Sequence, residues 1–328
     1  MESSRARRDH RARSSRRRPL LHVALASVAV VGVTAAGTVY VKAQAHSGPV
    51  SSAAVPSVSA AASGEATVEA VAEPTVDRDA LLAKAMKKFV AVTGEQKVSA
   101  AVFAMGSGES AAYGHAAFDT ASIVKVDILA TLLLQAQDAG RQPTATEKAY
   151  ATTMIENSDN DSASALWKII GTADGLDAAN KRFGLTATTG GDGVLWGLTQ
   201  TTAADQLTLL RQVFGDDSKL NAASRSYLQG LMGRIEADQQ WGVSAAADGA
   251  RWKLKNGWLA RSTTGLWDVN SVGRVTAADG QVYLVAVVSK GSTTQAKGIS
   301  LIEAAAKAAV SVFTGEGASA SASASAVN

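Results

Sequence analysis

The sequence of 328 residues contains no cysteine and only four histidines. The absence of cysteine excludes a disulfide framework, a cysteine nucleophile, thiolate zinc sites and iron–sulfur ligation. His10, His22 and His46 precede the region that we expect to fold, which leaves His115 alone there. We expect His115 to have a surface or packing role, and we predict no metal and no cofactor. A hydrolytic site would therefore need a base other than histidine.

Excess positive charge is also lacking once the N-terminus is set aside. The chain has a formal net charge of +3, but residues 1–18 contain eight arginines against Glu2 and Asp9, a net charge of +6. Subtracting +6 from +3 leaves −3 for the remainder. We therefore predict no nucleic-acid partner, because no general basic surface follows from the total.

Residues 1–45 have the pattern of an export leader. The arginine-rich start is followed by an apolar run over residues 20–41, long enough as a helix to reach roughly 33 Å, about the thickness of a bilayer core. The sequence Ala43-Gln44-Ala45 is a small-x-small cleavage pattern. A cleaved signal peptide and an uncleaved membrane anchor both remain open. Either one predicts an extracytoplasmic protein, secreted or tethered to the outer face of the cytoplasmic membrane.

Two segments have too little apolar surface to fold. Residues 46–76 are rich in Ala, Ser, Val and Pro, and residues 315–328 alternate Ala and Ser. We predict that both are disordered, a linker and a tail. Residues 77–314 remain as one folded region, and we expect it to be monomeric.

Hydrophobic periodicity in residues 77–314 changes along the chain in a way that predicts the fold. One helix and a hairpin come first, then a run of helical segments, then three strand-like segments and a closing helix. This order predicts an α/β (α+β) fold: an antiparallel sheet flanked by helices and built from both chain ends, with an all-helical lobe inserted between them. We expect a site in the crevice between the sheet and this lobe.

The first candidate motif is Ser122-Ile123-Val124-Lys125, at the start of an apolar helix. A spacing of three places the hydroxyl and the amine on one helix face. A lysine held in apolar surroundings without a close carboxylate has a lowered pKa and can accept a proton, so Lys125 could activate Ser122. The alternative is that Ser122 caps the helix and Lys125 extends to solvent.

Two further short motifs follow in the chain. Ser158-Asp159-Asn160 lies between two predicted helices, where Ser158 could relay a proton and Asn160 could contact substrate; a capping turn is the alternative. Lys255-Asn256-Gly257 ends a predicted strand, where Lys255 could meet a substrate carboxylate and Gly257 would let the substrate lie close. The alternative there is a solvated edge lysine followed by a turn.

Together, S-x-x-K, S-D-N and K-x-G in this order resemble class A β-lactamase-like serine hydrolases, of the serine β-lactamase and penicillin-binding protein superfamily, over most of residues 79–314. The resemblance implies the same two-lobed fold. It also implies that Ser122 is the acylated nucleophile and Lys125 its base. The other implied roles are a proton shuttle at Ser158, a substrate contact at Asn160, a site wall at Lys255 and Gly257, and an oxyanion hole formed by the backbone N–H groups of Ser122 and Trp258.

The chain departs from this pattern at two places. Asn256 stands where the third motif usually has a hydroxyl side chain. Residues 188–199 contain no glutamate, although class A β-lactamases use one there to activate the deacylating water. Asp192 is the only carboxylate in that stretch, and its glycine-rich neighbours favour a turn. The missing glutamate predicts slow deacylation.

We therefore expect an exported acyl-serine hydrolase whose substrate is a small β-lactam or an acyl-D-Ala-D-Ala peptidoglycan stem peptide. The alternative is a cell-wall-associated or antibiotic-sensing penicillin-binding domain with little turnover. Arg261 or Arg274 could assist a substrate carboxylate, and the spacing does not choose between them.

Overall fold

A computed structural model of the chain describes residues 76–90 and 96–314. The predicted leader at 1–45, the linker up to residue 75 and the tail at 315–328 lie outside the described residues. Within the described ranges, none of the helices is long and apolar enough to cross a membrane.

Eight α-helices and seven strands make up the described ranges. The helices are α1 (Arg78–Met86), α2 (Val124–Asp138), α3 (Ala145–Glu156), α4 (Asn160–Ile169), α5 (Thr172–Phe183), α6 (Ala203–Phe214), α7 (Ala222–Met232) and α8 (Gln295–Thr314). The strands are β1 (Lys97–Ala104), β2 (Ser110–Tyr113), β3 (Phe118–Asp119), β4 (Gln200–Thr201), β5 (Trp252–Ala260), β6 (Trp267–Thr276) and β7 (Val282–Ser292).

The main sheet has five strands in the order β2-β1-β7-β6-β5, and every neighbouring pair is antiparallel. Strands from the two ends of the chain meet where β1 pairs with β7. Helices α2 to α7, together with the two-residue strand β4, form the section of chain between β3 and β5. The α/β fold class predicted from the sequence, a sheet built from both chain ends with a helical insertion, is therefore confirmed.

Two buried apolar clusters hold these layers together. One joins the helical lobe to one face of the sheet and includes Ile128 and Leu132 of α2. The other packs α1 and α8 on the opposite face, through residues such as Leu82 and Ile302. The sheet is buried on both sides, and this explains why β7 is a nearly continuous apolar run.

The structure differs from the sequence-based elements in a few places. Strands β3 and β4 pair as a second, two-stranded sheet that periodicity did not reveal, because two residues are too few to show alternation. Helix α1 ends at Met86, although the apolar spacing continues to Val92. Strand β5 runs on to Ala260, five residues beyond the predicted end at Lys255.

Asp127 is a buried carboxylate on α2 in the helical lobe. Only 1% of its surface is exposed, and neither carboxylate oxygen makes a hydrogen bond of ordinary geometry. Burial raises the pKa of Asp127 to about 8; the Asn180 amide reduces this shift, and the charges of Asp177 and Asp205 add to it. At neutral pH the Asp127 side chain is therefore mainly the neutral acid in the folded protein.

We expect Asp127 to make the protein less stable as the pH rises. Its pKa is about 8 when folded and about 3.9 in an unfolded chain, so between these values the native state binds the extra proton and the free energy of unfolding falls with pH. Asp127→Asn should remove most of this slope in urea unfolding at pH 5, 7 and 9. The exposed control Asp192→Asn should keep it. Equal slopes in all three proteins would show that Asp127 is not the source.

Candidate active site

Ser122 lies in a tight turn between the small sheet and helix α2. The residues Ala121–Ile123 form a single 3-10 turn that leads directly into α2. Ala121 has φ of 46°, an uncommon conformation for a residue with a side chain and one that the surroundings must enforce. The enforcing group is Asn270 of β6, whose amide donates to the carbonyl oxygens of Asp119 and Thr120, each at 2.9 Å. The hydrogen bonds from Asn270 thus fix the backbone that leads into Ser122, the candidate nucleophile.

Lys125 lies one helical turn further on and is fully buried. Its Nζ donates to the Ser158 carbonyl oxygen at 2.6 Å, to Ser158 Oγ at 3.1 Å and to Asn160 Oδ1 at 2.8 Å. These contacts exclude the alternative in which Lys125 extends to solvent. They also bring the first and second sequence motifs together.

Ser158 occupies the gap between two lysines. It lies in the turn between α3 and α4 with φ of 57°, again a strained conformation. Its Oγ accepts from Lys125 Nζ at 3.1 Å and from Lys255 Nζ at 3.0 Å. A hydroxyl can accept two hydrogen bonds and donate one, so Ser158 can pass a proton between an amine and a third partner.

Lys255 of β5 is fully buried, and Nζ also donates to the Asn256 carbonyl oxygen at 3.0 Å. Its Nζ donates to Ser158 Oγ at 3.0 Å, so its charge reaches the turn that holds the second motif. Contact of this charge with a substrate carboxylate stays a prediction. The third sequence motif nevertheless meets the other two.

The two lysines have lowered pKa values for related reasons. Burial lowers the pKa of Lys125 to about 7, and the charge of Asp159 opposes that shift. Burial and the neighbouring Lys125 charge lower the pKa of Lys255 well below its ordinary value. Two ammonium groups that share one hydroxyl repel each other, so losing a proton near neutral pH is favourable.

Gly257 brings strand β5 against the Ser122 turn. A Cβ at this position would lie 2.7 Å from Ser122 N, 2.8 Å from Ile123 N and 2.8 Å from the Thr120 carbonyl oxygen. Only glycine permits this close approach. The next residue, Trp258, has a half-buried side chain that lines the cavity and packs on Trp241 with ring centroids 5.8 Å apart.

Asn256 does not face the site. Its side chain is buried, and its amide donates to the carbonyl oxygens of Gln239 at 2.7 Å and Trp241 at 2.9 Å. The amide therefore holds the loop behind β5 and does not take the place of the hydroxyl side chain that is usual in the third motif.

A cavity of about 410 Å³ opens beside Ser122. Its other walls come from Asn160, from β5 at Trp258 and Leu259, and from residues 194–198 of the loop before β4. Val194 and Leu195 are 70% and 51% exposed, so this wall is apolar and open to solvent. Ser122 is therefore accessible to a ligand of moderate size.

Trp196 of this loop covers Lys125. The Trp196 ring centroid lies 5.0 Å from Lys125 Nζ, and the indole N–H donates to Ser164 Oγ at 3.1 Å. Nearby, the Trp167 indole N–H donates to the Gly193 carbonyl oxygen at 2.8 Å and holds the loop in place. Within the described ranges, none of the residues lining the cavity is a carboxylate. Asp192 is exposed, and its carbonyl oxygen closes a turn with Leu195 N, as the sequence predicted.

Sequence reasoning missed two residues of the site. Asn270 is an isolated amide in a strand, and only its register opposite Gly257 shows that it can reach the Ser122 turn. Trp196 belongs to the loop of residues 188–199, for which the sequence showed only that a glutamate is missing. Arg261, one of the two open candidates for a carboxylate contact, pairs instead with Asp119 and Asp268.

Comparison with known families and structures bears on the family and the fold of the chain. The model of the beta-lactamase enzyme family matches residues 137–313, more than half of the chain, a match that begins after Ser122 and Lys125. No curated protein matches.

Several solved structures share the fold. A mutant of PBP-A captured as an acyl-enzyme with penicillin G is 22% identical, with a TM-score of 0.61, covering 72% of this chain and 96% of that one. A class A β-lactamase from Bacteroides cellulosilyticus is 16% identical, with a TM-score of 0.62, over 72% of this chain and 98% of that one. TLA-3 extended-spectrum β-lactamase is 13% identical, with a TM-score of 0.63, over 72% of this chain and all of that one. At these identities the similarity shows the fold alone.

Proposed function

Because the chain belongs to the beta-lactamase enzyme family, we propose that it is an acyl-serine hydrolase in which Ser122 attacks a β-lactam or an acyl-D-Ala-D-Ala-type peptide. The observation that carries this proposal is the Ser158 hydroxyl, shared by the amines of Lys125 and Lys255 next to the Ser122 turn. The Ser158-Asp159-Asn160 turn does cap α4, because Asp159 accepts from Ser162 N at 2.7 Å. A capping turn alone would not place a hydroxyl between two buried lysines.

In the acylation step, neutral Lys125 takes the proton of Ser122 while Oγ attacks the substrate carbonyl carbon. The tetrahedral oxyanion then collapses, the carbon–nitrogen bond breaks, and an ester forms on Ser122. The leaving nitrogen receives a proton through Ser158, which Lys125 and Lys255 can resupply. The Asn160 amide N–H₂ is free to contact substrate because its oxygen already accepts from Lys125.

The oxyanion would be stabilised by the backbone N–H groups of Ser122 and Trp258. Support for this comes from Gly257, whose lack of a side chain lets β5 approach Ser122 N closely. Strand β5 is also the edge of the sheet, so one side of its backbone is not paired with another strand of that sheet.

We propose that deacylation is slow. Hydrolysis of the ester needs a base for the incoming water. The cavity wall beside Lys125 is the indole of Trp196, which cannot act as that base in the way a carboxylate would. This observation favours a second candidate function, a penicillin-binding domain of the cell wall or of antibiotic sensing that turns over little. Both functions share the acylation step and differ in the lifetime of the ester.

Nitrocefin kinetics separate these two functions. Mixed with excess nitrocefin, an efficient hydrolase gives sustained turnover, whereas a slowly deacylating protein gives a burst of about one equivalent per active site and then a slow phase. We expect the burst. The Ser122→Ala protein should give neither phase, and an unchanged signal from it would contradict acyl-serine chemistry.

Replacing Trp196 by glutamate should speed deacylation about tenfold or more, because it puts a carboxylate beside Lys125 and within the cavity. The decay of the penicillin ester, followed by mass spectrometry after removal of free penicillin, measures the effect. Trp196→Gln is the matched control, since it opens the same space without a base. Equal acceleration by both variants would mean that the indole acts only by excluding water.

We also propose that the protein is exported, on the basis of the cationic and apolar pattern of residues 1–45, and that it acts as a monomer. Edman sequencing of the protein recovered from the medium and from the membrane fraction of an expressing bacterium would distinguish cleavage after Ala45 from an uncleaved anchor, since only an anchored protein would stay with the membranes and keep residues 1–45.

A further inference from the structure

The side chain of Asn256 connects strand β5 to a segment that also contacts the Ser158 turn. This segment comprises residues 236–241, between α7 and β5, and we name it the bridging segment. Asn256 Nδ2 donates to the carbonyl oxygens of Gln239 at 2.7 Å and Trp241 at 2.9 Å. Only 1% of the Asn256 surface is exposed, so these hydrogen bonds are shielded from water. One side of the bridging segment is therefore fixed to β5.

The bridging segment ends tightly against the sheet. Gly242, which follows it, has φ of 86°, a conformation that glycine adopts readily. A Cβ there would lie 2.3 Å from Ser271 Oγ and 3.1 Å from Asn256 Oδ1. Asn256 and Ser271 are direct partners across β5 and β6. There is thus little free space at this point to absorb a change in the Asn256 side chain.

The other side of the bridging segment contacts the turn between α3 and α4. Gln239 is buried, and its Nε2 donates to the carbonyl oxygen of Asn157 at 3.3 Å. Glu236 N donates to the carbonyl oxygen of Glu156 at 3.0 Å, and the Asn157 amide donates to the Glu236 carboxylate. Glu156 and Asn157 immediately precede Ser158 in the chain. These hydrogen bonds join the bridging segment to the backbone that leads into Ser158.

Ser158 needs support from its surroundings because its backbone is strained. Its φ of 57° is uncommon for a residue with a side chain, and such a conformation persists only where neighbouring groups enforce it. Ser158 Oγ lies 3.1 Å from Lys125 Nζ and 3.0 Å from Lys255 Nζ. A shift of about 1 Å would take the hydroxyl out of hydrogen-bond distance and can slow a reaction about a hundredfold.

From these contacts we propose that Asn256 is a positioning residue for acylation: through Gln239 it holds the Ser158 hydroxyl where it can protonate the leaving nitrogen. The inference rests on the proposed acyl-serine function. In that step the carbon–nitrogen bond breaks and the nitrogen takes the Ser158 hydroxyl proton. Ser158 in turn takes a proton from the Lys125 ammonium, which received it from Ser122.

Asn256→Thr separates this role from that of the hydroxyl side chain that is usual in the third motif. Threonine restores the hydroxyl, but its single O–H cannot donate to the Gln239 and Trp241 carbonyl oxygens at once. We expect acylation by penicillin G to be about a hundredfold slower than in the parent. Intact-protein mass spectrometry of rapidly quenched samples measures this rate. A rate equal to or higher than that of the parent would overturn the proposal.

The choice of leaving group distinguishes positioning of Ser158 from a general disturbance of the site. An amide nitrogen must be protonated as it leaves, whereas p-nitrophenolate leaves as a stable anion. Asn256→Thr should therefore slow acylation by penicillin G about tenfold or more beyond its effect on acylation by p-nitrophenyl acetate. The ester signal is corrected by subtracting that of Ser122→Ala. An equal loss with both acyl donors would overturn the proposal.

A double-mutant cycle tests whether Asn256 acts through Ser158. Ser158→Ala alone should slow acylation by penicillin G about a hundredfold or more. Adding Asn256→Thr to Ser158→Ala should then have little further effect, because no hydroxyl is left to position. Losses that multiply in the double variant would show that Asn256 acts elsewhere, and the proposal would be wrong.

Two further variants guard against a failure of Asn256→Thr to fold, which urea unfolding detects. Gln239→Met removes the amide that reaches Asn157 without changing β5, and it should show the same dependence on the leaving group. Parent-like rates from Gln239→Met with both acyl donors would overturn the proposal. Asn221→Thr is the matched control: it is exposed, its hydroxyl can still cap α7, and it should acylate as the parent does.

Failure of this inference is distinguishable from failure of the proposed function. A parent protein that gains no acyl group on Ser122 would overturn both. A parent protein that is acylated on Ser122, at the same rate as Asn256→Thr and Gln239→Met, would overturn only the role of Asn256.

Discussion

Replacing Lys125 by methionine should lower the rate of Ser122 acylation by about a thousandfold, within the range that a positioned general base contributes. Methionine keeps the length and the burial of the side chain but removes the amine that contacts Ser158 and Asn160. Stopped-flow acylation by nitrocefin or a fluorescent penicillin measures the rate.

The pH profile distinguishes a base from a packing residue. Because burial lowers the pKa of Lys125 to about 7, the neutral amine becomes the main form above that pH, and acylation by the parent protein should rise through about pH 7 and then level off. The rise should vanish in Lys125→Met. Lys168→Met, at an exposed position of α4, should keep both rate and profile. A Lys125→Met protein that acylates within about tenfold of the parent, with the same profile, would contradict the assigned base.

Replacing Gly257 by alanine should reduce acylation about a hundredfold, the loss expected when a reacting group moves by about 1 Å. The new Cβ would lie 2.7 Å from Ser122 N and 2.8 Å from two further backbone atoms of the turn, so the turn or strand β5 must move. Both movements separate Ser122 from the backbone N–H of Trp258. Acylation kinetics and urea unfolding together measure the effect.

Gly230→Ala is the matched control for this substitution. Gly230 lies in α7, where alanine is a better helix former than glycine, and the nearest atom to its Cβ would be Arg234 Nη1 at 3.4 Å. We expect this control to acylate normally. If Gly257→Ala also acylates at the parent rate while remaining folded, the close approach of β5 has no role in the chemistry.

The fold could be read from the sequence because its main signals are long. Helix α2 is apolar on nearly every face, and strands β6 and β7 are joined through Asp279-Gly280, a strong hairpin signal. The chain order, with strands at both ends and helices between them, predicted a sheet built from both ends, and in the structure these ends meet where β1 pairs with β7. The strands β3 and β4 escaped notice because two-residue strands have no period.

The sequence predicted which residue types belong to the site, but it did not predict how their side chains are arranged. Three short motifs, each ambiguous alone, named Ser122, Lys125 and Ser158, and the structure brings the two lysines to one hydroxyl. Side-chain direction was not readable from the sequence. The sequence does not show that the Asn256 amide turns toward the loop behind β5, or that Lys255 and Lys125 contact the same hydroxyl.

The position of Trp196 over Lys125 shows the same limit. A loop without regular structure takes its path from tertiary contacts, here the hydrogen bonds made by the indoles of Trp167 and Trp196. The sequence indicated that this loop lacks a glutamate. The structure shows that the loop instead places the Trp196 indole near Lys125.

Mass spectrometry of the intact protein mixed with penicillin G, sampled over time and followed by peptide mapping, tests nucleophile and deacylation together. We predict a gain of one penicilloyl mass, located on the peptide that contains Ser122, persisting long after free penicillin is removed and absent from Ser122→Ala. No adduct at any penicillin concentration, or an adduct on another residue, would contradict the acyl-serine mechanism.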